Sequence, residues 1–220
     1  MYYTTDENKH GLKHDPFKAL AIPRPIGWIS TTSKEGKHNL APYSFFNAIS
    51  DRPPMVMFCS AGHKDSLRNI EETGEFTCSL STWDLRNEMN VSSATVPYGV
   101  DEFALAGLEP AASGQVRPPR VARSPAAFEC KHWKTIELPA PTGKGTPYIM
   151  VLGTVVAIYI DDAYVRDGMV DTPAMKPLAR LGYMDYSVLN REAVFEMQRP
   201  VAQPDGSLKT PSGPWDGVYR

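Results

Sequence analysis

Lys64 stands at the turning point of Phe-Cys-Ser-Ala-Gly-His-Lys-Asp-Ser-Leu-Arg-Asn-Ile, residues 58–70. A strand-like run ends there, a small-residue turn follows, and a helical pattern opens with Lys64 and Ser66 at its mouth. Free backbone N–H groups, the positive end of a helix dipole and an ammonium would converge on an anion. Asp65 opposes that unless its carboxylate turns away to cap the helix, and an ordinary capped helix with a solvated lysine uses the same residues.

The second unusual stretch is Pro-Arg-Pro-Ile-Gly-Trp-Ile-Ser-Thr-Thr at 23–32, followed by Asn-Leu-Ala-Pro-Tyr-Ser-Phe-Phe-Asn at 39–47. A core strand favours apolar alternation without an interior proline. Here Trp28, Tyr43, Phe45 and Phe46 stand beside small hydroxyls and Pro42, as they would if something flat and partly polar lay against them. In an extended strand Ile26, Trp28, Ser30 and Thr32 share one face while Gly27, Ile29 and Thr31 share the other, and Gly27 permits close backbone approach. Aromatics packed in a barrel core account for the same composition.

Other sites are excluded by spacing. Thr-Gly-Lys-Gly-Thr at 142–146 lacks the upstream glycine of a phosphate loop, since Leu138 lies five before Gly143, and reads as a hairpin loop. No Gly-x-Gly-x-x-Gly and no Gly-x-Ser-x-Gly occurs, so neither a dinucleotide fingerprint nor a nucleophile elbow is present. Cys130 and His132 form a lone Cys-x-His with no second pair, which leaves a metal site without ligands.

The elements that must position these residues are mostly strands: 25–32, 54–60, 75–81, 126–138 and 148–160, with Gly153 placed for a bulge or bend. A short helix over 65–73 has Asp65 and Ser66 as candidate caps and Gly74 as its stop, and a second covers 83–91. Strands with few short helices and no regular alternation predict a mainly β (α+β) antiparallel barrel. The domain spans 1–190, and 191–220 is a polar Pro/Gly-rich tail that wraps a neighbour or stays mobile.

With 220 residues, 42% hydrophobic and 22% charged, the chain reads as one globular domain. Its 23 basic and 25 acidic residues give a net charge of -2 with no basic cluster, which argues against nucleic acid as a partner. Three well-separated cysteines argue for a reducing compartment. The N-terminus has no secretory apolar stretch, and the longest apolar run, 148–160, is too short for a membrane helix; the expected location is cytoplasmic.

Together, the segments 23–32, 39–47, Arg-Pro-Pro at 52–54 and Lys-Asp-Ser-Leu-Arg-Asn-Ile-Glu-Glu-Thr-Gly-Glu-Phe at 64–76 resemble the flavin reductase-like family of FMN-binding split barrels, in particular its flavoredoxin-like branch. The likeness continues through Met-Asn-Val-Ser-Ser-Ala at 89–94, Asp-Glu-Phe at 101–103, Phe-Glu-Cys-Lys at 128–131 and Ala-Arg-Leu-Gly-Tyr-Met-Asp-Tyr at 179–186. The resemblance implies a six-stranded antiparallel Greek-key split barrel, a homodimer, and FMN near the subunit interface.

By that resemblance the flavin ring lies along Asn39, Ala41, Pro42, Tyr43, Ser44 and Phe45, with Trp28 flanking it. The phosphate meets Ser30, Thr31, Ser44 and the turn carrying Ser60, Lys64 and Ser66; Arg180, Tyr183 or Tyr186 approaches from the partner or the barrel rim. Backbone amides at 41–44 would stabilise reduced flavin, so no catalytic side chain is needed. The implied activity is that of an oxidoreductase in which NADH or NADPH reduces FMN. An FMN-dependent electron carrier without nicotinamide activity, and a cofactor-free dimeric interaction protein, are the alternatives. Tyr159 stands where relatives often carry histidine, which leaves nicotinamide turnover open.

Overall fold

The computed structural model describes residues 1–139, 145–215 and 217. In chain order its strands include β1 Arg24–Pro25, β2 Gly27–Thr32, β3 His38–Tyr43, β4 Phe46–Asp51, β5 Pro54–Ala61, β6 Glu75–Leu80, β7 Ala126–Glu137 and β8 Tyr148–Ile160. All but β1 join one antiparallel sheet of order β3-β2-β6-β7-β8-β5-β4. Its two outermost strands, β3 and β4, are consecutive in the chain and separated only by Ser44 and Phe45. The sheet therefore curls until its ends meet through the chain itself, the architecture of a split barrel.

The sheet has seven strands where six were expected. Residues 38–51 turn a barrel corner, so the first half pairs with β2 and the second with β5. The Cys59 amide donates to the Phe45 carbonyl at 2.8 Å and pins that corner to β5.

Both faces of β2 are buried, which resolves its mixed composition. Ile29 faces the barrel interior with Tyr43, Phe58, Phe76 and Val151. Trp28 faces a second core with Leu40, Met89, Phe103 and Val121. Each such side chain, fully buried, contributes about 1.5–3 kcal/mol.

Two strand glycines make room for rings. A Cβ on Gly27 would lie 2.4 Å from the Phe46 ring, and one on Gly153 would lie 2.4 Å from the buried Phe76 ring. The β7–β8 register slips between Leu152 and Gly153, where a bulge was expected.

Helix α1 is Phe17–Leu20, and α2, Asp65–Thr73, packs Leu67 and Ile70 into the barrel core and ends at Gly74 in the left-handed region. Its N-cap is Lys64, not Asp65 or Ser66, and no side chain caps it. Ser66 instead turns its hydroxyl to Asn39, a buried polar side chain with a prior claim on it. The helix expected over 83–91 is a 3-10 turn, Trp83–Leu85, followed by α3, Arg86–Val91; α4 is Glu102–Leu105.

β1 pairs with β9, Leu178–Arg180, which pairs with β10, Tyr186–Val188, to make a small sheet at the barrel rim. In the tail, Val201–Ala202 and Leu208–Lys209 form a short exposed hairpin. Of the loop expected at 142–146, residues 142–144 lie outside the described residues. Among the described residues no helix is long and apolar enough to cross a membrane.

Candidate functional site

The N-terminus of α2, the edge strand β3 and the turn after α3 enclose a cavity of about 300 Å³. Lys64, Asp65 and Ser66 form one wall, Asn39 to Tyr43 the next, and Ser92 to Val96 the third. Beyond Pro42 and Ser93 a second cavity, of about 400 Å³, continues under α1 and the rim sheet. Pro42 and Ser93 line both, so the two form one groove along the outer side of 39–44.

Fully buried polar groups hold the groove wall rigid. Asn39 Nδ2 and the Leu40 amide both donate to Glu102 Oε2, each at 2.9 Å. Asn39 Oδ1 accepts from Ser66 Oγ at 2.7 Å and from Thr31 Oγ1 at 3.3 Å, while Asn69 Nδ2 donates to Thr31 Oγ1 at 3.0 Å. These bonds tie β2, β3, α2 and α4 into one unit.

Burial raises the Glu102 carboxyl above the usual carboxylate range, opposed by the Leu40 amide and the Asn39 bond, with the charge of Asp65 adding to the rise. Burial likewise pushes the Tyr43 phenol up, opposed by bonds to Ser66 and Ser60.

The expected site residues divide into those that line the groove and those that support it from behind. Asn39, Ala41, Pro42, Tyr43, Lys64 and Ser66 line the smaller cavity; Pro42, Ser44, Arg180 and Tyr183 line the larger. Trp28, Ser30 and Thr31 do neither: all three are fully buried. Trp28 Nε1 donates to Ser92 Oγ at 2.9 Å, so the indole carries the turn that walls the groove.

Several hydroxyls are already engaged within the protein. Ser30 Oγ donates to the Pro119 carbonyl, Ser60 Oγ to the Gly62 carbonyl at 2.8 Å, and Ser66 Oγ to Asn39. What the smaller cavity offers an anion is therefore the open N–H groups at the start of α2, the exposed Lys64 ammonium and Thr95. Asp65 lines the same wall and sets a limit on how much negative charge is welcome there.

Along β3, Pro42 has no N–H, and Ala41 and Tyr43 face Ile29 and Gly27 across the ladder. Ser44, just past the last pair, is the remaining backbone donor of the 41–44 segment. Phe45 packs its ring 5.5 Å from that of Tyr148 and lies 6.0 Å from Lys18 Nζ and 5.9 Å from Arg24 Cζ. Tyr159 lies away from both cavities, with the Arg120 guanidinium 3.6 Å from its ring centroid.

The sequence reading missed the third wall, Ser92 to Val96, and the cations Lys18 and Arg24. The run Val-Ser-Ser-Ala-Thr-Val after α3, small and hydroxyl-bearing, is a signal that would have found the wall. Nothing local marks Lys18, which reaches the groove only because Arg24 fastens α1 to the rim.

A closed antiparallel barrel with an elongated groove between an edge strand and a helix N-terminus defines a class of small-ligand-binding split barrels. The chain belongs to the family described as Flavin reductase like domain, whose model matches residues 19–179. It is 37% identical over 176 residues to an uncharacterised protein of Deinococcus radiodurans, covering 74% of each chain. Among solved structures it is similar to nitrilotriacetate monooxygenase component B from Bacillus cereus, with TM-score 0.80 and 27% identity over 90% of this chain and 98% of that one. It is also similar to the Pseudomonas fluorescens 2-nitrobenzoate 2-nitroreductase, with TM-score 0.78 and 25% identity over 93% and 98%.

Proposed function

We propose that this chain is an FMN-binding oxidoreductase, with NADH or NADPH as the electron donor. The observation that carries this reading is the single groove that joins a helix N-terminus and Lys64 at one end to the 39–46 wall at the other. A phosphate fits the first end and a flat ring the second. The family supports the reading, as do two similar structures whose names describe a monooxygenase component and a nitroreductase.

FMN would supply the redox chemistry. The chain supplies the rest: α2 and Lys64 bind the phosphate, the Asn39–Glu102 network holds β3 still, and Ser44 N–H faces the ring edge. No side chain is assigned a proton transfer. The exposed aromatic residues Tyr183, Met184 and Tyr186 beside the groove support a homodimer that covers it.

The test is FMN titration by fluorescence quenching, then anaerobic mixing of the loaded protein with NADH and with NADPH while flavin absorbance is followed. Quenching followed by bleaching that saturates only at high nucleotide concentration is expected, because no dinucleotide fingerprint grips the donor. No quenching overturns FMN binding. Quenching with bleaching by dithionite alone makes the protein an electron carrier instead.

A further inference from the structure

The larger cavity, beyond Pro42, is lined by Lys18, Arg24 and Arg180 and by no carboxylate. Among the described residues none of the three cations forms an ion pair. Arg24 is 9% exposed; its Nη atoms are held by the carbonyls of Ala21 and Leu181, each at 2.7 Å, and of Lys18, while its buried Nε has no partner. Burial, and then the nearby charge of Arg180, lower the Arg24 pKa.

Arg180 packs over Tyr186, 4.4 Å from the ring centroid, and Nη2 contacts the Tyr183 carbonyl and Met184 Sδ. Its Nη1 and Nε make no hydrogen bond within the described protein. Gathering like charges in a half-enclosed cavity is unfavourable unless an anion joins them. The rest of the lining is apolar or aromatic, including Ile26, Met89, Leu181 and Tyr183, and suits an organic body rather than a bare inorganic ion.

We propose that this cavity binds an organic anion, a carboxylate or phosphate ester with an apolar or aromatic body, whose charge sits among Lys18, Arg24 and Arg180. Its assignment as the compound that exchanges electrons with the flavin rests on the reading above; the anion site itself does not. Arg180 and Tyr183, attributed to the cofactor by resemblance, thereby become residues for the second ligand.

Calorimetric titration of the full chain, with FMN in excess and at low ionic strength, tests this with benzoate, its neutral analogue benzamide, NADH and NADPH. Binding of benzoate or of the nucleotides should weaken about tenfold or more in Arg180→Gln and in Lys18→Gln, and benzamide should bind no better to the parent than to the variants. Losses confined to benzoate identify a carboxylate ligand, and losses confined to the nucleotides identify a phosphate ester; either supports the site. No anion binding, or affinities unchanged in both variants, overturns it. FMN quenching is read separately, so its absence overturns the flavin reading while the calorimetry still decides the cavity.

Discussion

Glu102 Oε2 accepts hydrogen bonds from Asn39 Nδ2 and from the neighbouring Leu40 amide, each at 2.9 Å, and is 4% exposed. A carboxylate on a four-residue helix thus fixes the side chain and backbone of the groove's edge strand.

The first prediction concerns this carboxyl. Burial raises its folded pKa, so the native state binds more protons than the unfolded chain. Its contribution to stability is fullest below the unfolded value of about 4.3 and declines as pH rises through the raised folded value. Urea unfolding of the parent and Glu102→Gln between pH 4 and pH 7 should show the parent losing stability relative to the variant over that window. A pH-independent difference refutes it. Glu102→Ala should cost about 1–3 kcal/mol for each buried donor left unpaired.

Lys64→Ala should weaken FMN more than riboflavin, because only FMN carries a phosphate. The ammonium is exposed, so the loss should lie near the low end of a charge-assisted contact, about tenfold. Parallel quenching titrations decide it, and equal losses would place Lys64 away from the phosphate.

Gly153→Ala should destabilise the barrel by about 1–3 kcal/mol, because its Cβ would land on the Phe76 ring. Phe76→Leu in the same chain should recover part of that loss, read by a double-mutant cycle in denaturant. Additive effects would show that the ring is not the obstacle.

The cysteines should resist alkylation in the native state at pH 8. Burial pushes the Cys78 thiol up to about 12, and burial, with Cys78 and Glu129 nearby, holds Cys130 well above its ordinary value. Cys59 is also raised by burial, though it is half-exposed, and should react slowly. Mass spectrometry after iodoacetamide treatment should find Cys78 and Cys130 labelled only once urea unfolds the chain. Rapid native labelling of either would contradict the buried core.

The strands were legible because β-branched and aromatic runs end at glycine, proline or serine, and 54–60, 126–138 and 148–160 fall within a residue of β5, β7 and β8. The break at Ser44–Phe45 was not, since which neighbour each half of 38–51 pairs with is set by barrel closure rather than by local pattern. Lys64, Asn39 and Pro42 could be read as site residues because their chemistry is local. Trp28 and Ser30 could not be separated from the groove: both faces of β2 are buried, so alternation there does not distinguish a ligand-facing side chain from a core one.

Pro42 also governs how the molecule meets copies of itself when crowded. β3 is the last strand of its sheet, a place where a foreign strand could lengthen the ladder. The Leu40 amide is occupied by Glu102, and two residues on Pro42 offers no hydrogen to share. The irregularity that opens a ligand groove also denies that edge to cross-β aggregation, so replacing Pro42 with a β-branched residue would expose an unguarded template for fibril growth.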